Sequence, residues 1–331
     1  MSKDRWEMVQ QFVEDAGWKD AHILPLAGDA SNRRYFRMAG PPGLAVIMDA
    51  PPETGEDVRP FVRIAEYLSG IGLSAPRIYA SDEAKGFLIL EHLGDDLYAR
   101  KLAVDLSPEQ LLYDVATDAL MHLHASAPPE GLESYDATRM AQLSALAYDW
   151  YLAESSGADP DARGAFVDVF EPVLAENLQC SVVILRDYHA ENLLWLPDRT
   201  GAARAGLLDF QDAMMGDPAY DLVSMLMDAR RDVSAEVEAA EIDRFVVKQG
   251  LDREQLLRRY HLCGAQRNLR IIGVFARLSR RDGKKHYVDL IPRVWGHLMR
   301  NLSHPALAPV AEQVLRDLPE PAPEVLERLR R

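Results

Sequence analysis

Two cysteines in 331 residues are too few for a disulfide framework, and neither Cys180 nor Cys263 sits in a metal-binding spacing. Both read as buried free thiols, and a reducing compartment, the cytoplasm, is the expected setting. No apolar run approaches the ~20 residues of a membrane span. The opening MSKDRWEMVQQF is charged where a signal peptide would be apolar. Positive charge is in deficit: 37 Lys and Arg against 52 Asp and Glu leave −15, which argues against nucleic acid or an anionic membrane as the main partner. Internal repeats and low-complexity stretches are missing, and so is the G-x-x-x-x-G-K-[ST] phosphate loop. What the chain does have is apolar character, 48% of its residues, and enough length for one large domain or two joined lobes with a sizeable core.

The chain is organised around Val182 to Leu222. An apolar run, Val182 to Leu185, delivers Arg186 and Asp187 to a turn; Asn192 follows five residues after Asp187 and opens a second run, Leu193 to Leu196; a third, Gly206 to Leu208, ends at Asp209-Phe210. Short apolar runs broken by turns read as buried strands. Such strands would bring Asp187, Asn192 and Asp209 together at their ends, where loops are held firmly. An amide and a carboxylate, Asn192 and Asp209, suit a hard divalent cation such as Mg²⁺. A separate carboxylate, Asp187, can orient a hydroxyl and accept its proton. Kinase phosphoryl transfer divides its labour in this way. The plainer alternative is that Asp187 and Asn192 shape a turn and Asp209 caps a helix.

This segment resembles the catalytic region of the aminoglycoside phosphotransferase family, which usually writes H-G-D-x-x-x-x-N. Here Leu185 stands for the His and Arg186 for the Gly. With Asp209-Phe210-Gln211-Asp212-Ala213, Met48-Asp49-Ala50-Pro51-Pro52 and the stretch from Gln266 to Lys284, the chain is most similar to the bacterial anomeric kinases of N-acetylmuramate and N-acetylglucosamine. The resemblance implies an α+β, protein-kinase-like bilobal fold. A β-rich N-lobe would span residues 1–92 and a mainly helical C-lobe residues 93–331. It also implies ATP and Mg²⁺ as cofactors, Asp187 as catalytic residue, Asn192 and Asp209 as metal ligands, and Asp221 as a brace for the catalytic loop. The implied substrate is a small amino sugar phosphorylated at C1, in cell-wall sugar recycling. Another acceptor (an aminoglycoside, choline or a hydroxy amino acid) and a catalytically silent nucleotide-binding regulator are the rivals.

In chain order, residues 4–16 form an amphipathic helix with Trp6, Val9, Phe12 and Val13 on one face. Residues 22–48 read as three strands, and Ser31, Asn32 and Arg33 between the first two can donate to phosphate. The third strand, Val46-Ile47-Met48-Asp49, lacks the lysine that kinase-like proteins place there; Arg33, Arg34 and Arg37 are the nearby cations. Glu66, on a helix over 56–70, is either solvated or a partner of such a cation. In kinase-like folds the lobe junction binds the adenine edge, here at Glu91 to Leu93, with Leu90 and Leu93 flanking the base. Ser107-Pro108 should cap the next helix; His122 and His124 read as structural or solvated. Helices follow over 138–156 and 161–178. Trp150, within the cluster Tyr148 to Tyr151, is a candidate sugar platform, although core aromatics are commoner. Asp217 should cap a helix ahead of Pro218. Asp212, His189, Glu191 and Arg267 are further candidates for the substrate site, and Arg267 begins a basic series with Arg270, Arg277, Arg280 and Arg281. The tail from Pro305 reads as a short capping appendage.

Overall fold

A computed structural model describes residues 3–26, 32–41 and 43–331. Two compact units emerge: Met1–Ser126 with Ala190–Ala213, and Ala127–His189 with Met214–Arg331. Helices and strands are numbered in chain order.

The first unit is built on an antiparallel sheet of β1 (His22–Leu26), β2 (Arg34–Gly40), β3 (Gly43–Asp49), β4 (Ile78–Asp82) and β5 (Phe87–Glu91), in the order β1-β2-β3-β5-β4. Alternation along a strand sends every second side chain to one face. Phe36, Met38, Ala45, Ile47, Phe87 and Ile89 form one apolar face, and it packs with Val9, Val13 and Trp18 from α1 (Lys3–Asp15) and the turn after it. The same alternation places Tyr35, Arg37, Val46 and Met48 on the other face. On the α1 side the fully buried Asp49 takes Arg5 Nη2 and Arg34 Nη2, both at 2.7 Å. Two cations on one carboxylate lower the desolvation cost of an isolated buried charge.

The helix α2 (Arg59–Gly70) buries Phe61, Ile64, Ala65 and Leu68 and leaves Glu66 exposed. Next come α3 (Tyr98–Val104) and α4 (Glu109–Ala125). Ser107 does not cap α4: its N–H and Oγ both donate to the Asp105 carboxylate, at 2.8 and 2.6 Å, a local turn that competes with capping. The hairpin β7 (Leu193–Trp195) and β8 (Ala205–Leu207) packs against α3 and α4. The expected lobe boundary at residue 92 therefore falls inside this unit, which α3 and α4 join through that hairpin.

The second unit is helical apart from β6 (Val182–Ile184) and β9 (Met214–Gly216), which pair antiparallel. Its helices are α5 (Ala137–Ser144), α6 (Ala153–Ser155), α7 (Pro160–Asn177), α8 (Ala219–Leu226), α9 (Ala235–Gln249), α10 (Arg253–Arg280), α11 (Ile291–Leu302), α12 (Ala308–Asp317) and α13 (Pro323–Arg330). The 28 residues of α10 make a rod about 42 Å long, and it packs against α5, α8 and α11. At Gly273 a Cβ would stand 2.2 Å from the Leu146 carbonyl carbon, so only glycine lets the two backbones approach. The expected single helix over 138–156 is instead broken into α5, a π-type segment Ala147–Leu152 and α6.

Of three further expectations, the one for Cys180 is corrected. The tail, expected as a short capping appendage, forms α12 and α13, which bury Val310, Val314, Val325 and Leu329, and Tyr151 donates to the Pro319 carbonyl at 2.8 Å. Cys180 is exposed, on the connection between α7 and β6, whereas Cys263 is buried in α10. Asp217 does act at the start of α8, accepting from Ala219 N at 2.9 Å, and it also ties Gln179 N at 3.0 Å.

Candidate active site

The second unit supplies Asp187. Strand β6 ends one residue before Leu185, and Arg186 then turns the chain with φ +72°. That is the left-handed region, costly for any residue with a Cβ, and Arg186 stands where the resembling family places glycine. Asp221 of α8 holds the turn. Its wholly buried carboxylate accepts from Leu185 N at 2.5 Å and Arg186 N at 2.9 Å. Burial pushes the Asp221 carboxyl up to about 7, against the pull of those two backbone donors.

Asp187 is half-buried. Burial pushes its carboxyl up, but Arg270, His189, Arg267 and Arg186 pull it down and prevail, so it lies below the usual carboxylate range. Arg267 and Arg270 are three apart on α10 and so share a face. Arg267 is 3% exposed, its Nη1 directed at the Met227 carbonyl. Arg270 sits close to Tyr135 and Tyr220. The Arg186 guanidinium lies 5.2 Å from the centre of the Tyr135 ring. His189 is buried, and loss of water lowers it to about 4, so it is neutral at pH 7. Two more of the basic series are spent elsewhere: Arg280 pairs with Glu154 and Arg281 with Asp282.

The first unit supplies Asn192 and Asp209. Asn192 leads into β7, its carbonyl accepting from Leu208 N at 3.0 Å. Asp209 follows β8 at φ +57°, exposed, with Phe210 behind it buried and stacked on Phe61 at 4.9 Å. Asn192 Nδ2 is 3.5 Å from Asp209 Oδ2, and Gln211 Nε2 donates to Asp209 Oδ1 at 2.7 Å. Among the described residues, Arg186 and Asp209 are the non-glycine positions with positive φ. The β7–β8 hairpin thus brings Asn192 and Asp209 together, as the spacing led one to expect, while Asp187 belongs to the other unit. A carboxylate beside a side-chain amide is a donor set that suits Mg²⁺ once the amide turns its oxygen to the ion; Mg²⁺ commonly takes one or two carboxylates and completes its shell with water and phosphate. Among the described residues no group of three His, Cys, Asp or Glu could hold a metal by itself.

Of the phosphate-loop candidates, Ser31 lies outside the described residues. Asn32 is exposed and donates its N–H to Glu56 Oε1 at 3.2 Å; Arg33 Nε donates to Glu56 Oε2 at 2.8 Å. Arg34 goes to Asp49, and Arg37 pairs with Asp95. The acidic partner of this region is therefore Glu56, which sequence reasoning missed, and not Glu66. Tyr35 was missed as well: its hydroxyl bonds Arg33 and feels the charge of Asp209. The signal was present, since Arg33, Tyr35 and Arg37 alternate along an extended strand. A cleft of about 310 Å³ opens beside the Arg5–Asp49–Arg34 triad, lined also by Asn32, Pro51, Glu53 and Thr54. It contains none of Asp187, Asn192 and Asp209.

The Glu91 carboxylate takes Arg199 at 2.7 Å and its N–H goes to the Arg77 carbonyl at 2.7 Å; Leu93 is 9% exposed. Glu191 and Asp212 are exposed. Trp150 is half-exposed, whereas Tyr148 stacks on Phe166 at 4.8 Å inside the core, the commoner fate of helical aromatics.

A family model described as "Phosphotransferase enzyme family" matches residues 22–257. The chain is 38% identical to the N-acetylmuramate/N-acetylglucosamine kinase of Caulobacter vibrioides, over 93% of this chain and 95% of that one. It is 35% identical to the enzyme of the same name from Pseudomonas aeruginosa, over 95% and 94%. Among solved structures it shares the fold of a choline kinase from Streptococcus pneumoniae, with a TM-score of 0.65, 13% identity, and coverage of 90% of this chain and 100% of that one.

Proposed function

The chain belongs to the phosphotransferase enzyme family and is a kinase, and we propose that it moves the γ-phosphoryl group of ATP to the anomeric C1 hydroxyl of N-acetylmuramate or N-acetylglucosamine, a step in cell-wall sugar recycling. The names and near full-length coverage of its relatives support the acceptor. The observation that carries the chemistry is the cationic setting of Asp187. A carboxylate held this firmly ionised is a weak base. It suits an acceptor whose hydroxyl gives up its proton readily, and an anomeric hydroxyl is more acidic than an ordinary alcohol.

In this reading Asp187 aligns the acceptor oxygen and takes its proton as the phosphorus–oxygen bond forms. Asp221 keeps the Asp187 turn in place through the two backbone donors. Arg267 and Arg270 keep the Asp187 carboxylate charged. Asn192 and Asp209 hold Mg²⁺ on the nucleotide phosphates. Magnesium, when bound, neutralises charge on the transferring group. Nothing in this scheme requires a covalent enzyme intermediate.

The test is ATP consumption across a panel of amino sugars, aminoglycosides, choline and hydroxy amino acids, with Asp187→Asn as control. Turnover confined to the two N-acetylated sugars, and lost in the control, is the expected result. Turnover with an aminoglycoside or choline alone would move the acceptor; ATP binding without turnover on any acceptor would sink the catalytic reading.

A further inference from the structure

Strand β3 ends without a lysine, so the cation that steadies nucleotide phosphates in kinase-like folds must come from elsewhere. Three arginines stand nearby, and the sheet sorts them. Arg34 turns to the α1 face and is locked with Arg5 on Asp49. Arg37 is drawn to Asp95. Arg33 lies one residue ahead of β2, and the two-residue period puts it on the side of Tyr35. The register sets Tyr35 opposite Met48, at the end of the very strand that lacks the lysine.

Around Arg33 the surroundings are built rather than incidental. Its Nε donates to Glu56 Oε2 at 2.8 Å, and the two side chains are only 12% and 15% exposed. The other Glu56 oxygen accepts the Asn32 N–H at 3.2 Å, which fixes the carboxylate from both sides. The Tyr35 hydroxyl also bonds Arg33 and lies within electrostatic range of Asp209. A fixed cation lowers the cost of seating a polyanion against it. A guanidinium carries five donors in a planar fork; with its plane set by Glu56 and Tyr35 it matches two phosphate oxygens.

We propose that Arg33, positioned by Glu56 and Tyr35, replaces the third-strand lysine and holds the α- and β-phosphates of the nucleotide. The proposal rests on the kinase function given above. Glu56 replaces the helical glutamate that would partner such a lysine, which is why Glu66 is left in solvent.

Calorimetric binding of ADP and of adenosine, both with Mg²⁺, to the wild type and to Arg33→Met, Arg33→Lys and Glu56→Gln tests this. Arg33→Met is expected to weaken ADP by about tenfold or more, the loss due to one charged hydrogen bond, with adenosine unchanged. Arg33→Lys should fall in between, and carries the test if the methionine variant fails to fold. Glu56→Gln should raise KM for ATP more than it lowers kcat. ADP affinity unchanged in Arg33→Met overturns the proposal, and so does a parallel loss of ADP and adenosine. A wild type that binds ADP through Arg33 yet turns over no acceptor sinks the kinase reading alone; one that binds no ADP sinks both.

Discussion

Two aspartates, one in each unit, carry the same carboxylate and occupy opposite settings. Asp187 is half-buried among Arg186, His189, Arg267 and Arg270, on a turn whose N–H groups are held by Asp221. Asp209 is exposed, beside two side-chain amides, on a left-handed residue of its own. The first is fixed by permanent charge, so its ionisation does not depend on a ligand. The second faces solvent with neutral amides as its side-chain neighbours, the setting that the proposed Mg²⁺ role asks of it. The difference teaches that residue type alone does not assign a role: counter-charges and solvent access do.

The widest gap between the two should appear on mutation. Asp187→Ala is expected to lower kcat by about a thousandfold, the range of a general base. It should also cost about 2 to 4 kcal/mol of stability in urea unfolding, because it strands a cluster of arginines. Asp209→Asn should abolish most activity with stability kept within about 0.5 kcal/mol, as for an exposed site. Equal stability losses in the two variants would erase the contrast.

A second expectation sharpens it through pH. His189, next to Asp187, is lowered to about 4 by burial. As pH falls from about 6.5 towards 4, the unfolded chain takes up a proton that the folded one refuses. Stability should therefore drop on acidification by up to about 3 kcal/mol from this group, and none of it should be lost above pH 7. Melting curves of wild type and His189→Gln between pH 7.5 and 4.5 check this; the variant should lose less. The depressed Asp187 carboxyl acts in the same direction, its contribution present above its ordinary pKa and lost only at still lower pH.

The smallest effect concerns Arg186. Its positive φ costs about 1 to 2 kcal/mol, and Arg186→Gly removes that cost while freeing the unfolded chain by about 0.5 to 1 kcal/mol. Stability should move by about 1 kcal/mol or less. Arg186→Val, β-branched, should lose more, since such a side chain tolerates the left-handed region poorly. Equal melting temperatures for Val and Gly would show that this turn is not strained in solution.

Much of this was legible in the residues. Apolar runs located β6, β7 and β8, because short buried strands need continuous apolar sequence. The five-residue spacing from Asp187 to Asn192 identified the motif, and the helical periods over α1, α4 and α10 placed those elements. What escaped notice had a physical reason. Glu56 stood at the start of the helix expected over 56–70, but α2 begins only at Arg59 and leaves it in an irregular stretch, so its bond to Arg33 could be seen only when the chain was folded. Tyr35 passes for an ordinary strand aromatic. The π-type break at residues 147–152 arises where Gly273 lets α10 come close, a long-range contact that no local window contains. The sorting of Arg34 from Arg33 depends on which face α1 covers, and that is a tertiary choice.

The first unit is assembled from two separate pieces of chain, Met1–Ser126 and Ala190–Ala213. Translation runs in one direction, so the five-stranded sheet and α4 leave the ribosome 213 − 126 = 87 residues before the last of their partner segment exists. At about 5 to 20 residues per second that is a wait of roughly 4 to 17 seconds. For that interval Phe61 has no Phe210 to stack on, and α4 has no hairpin to cover it. The nascent chain must keep those surfaces out of trouble on its own or in the care of a chaperone, and a pause in synthesis anywhere between residues 127 and 213 would prolong the exposure.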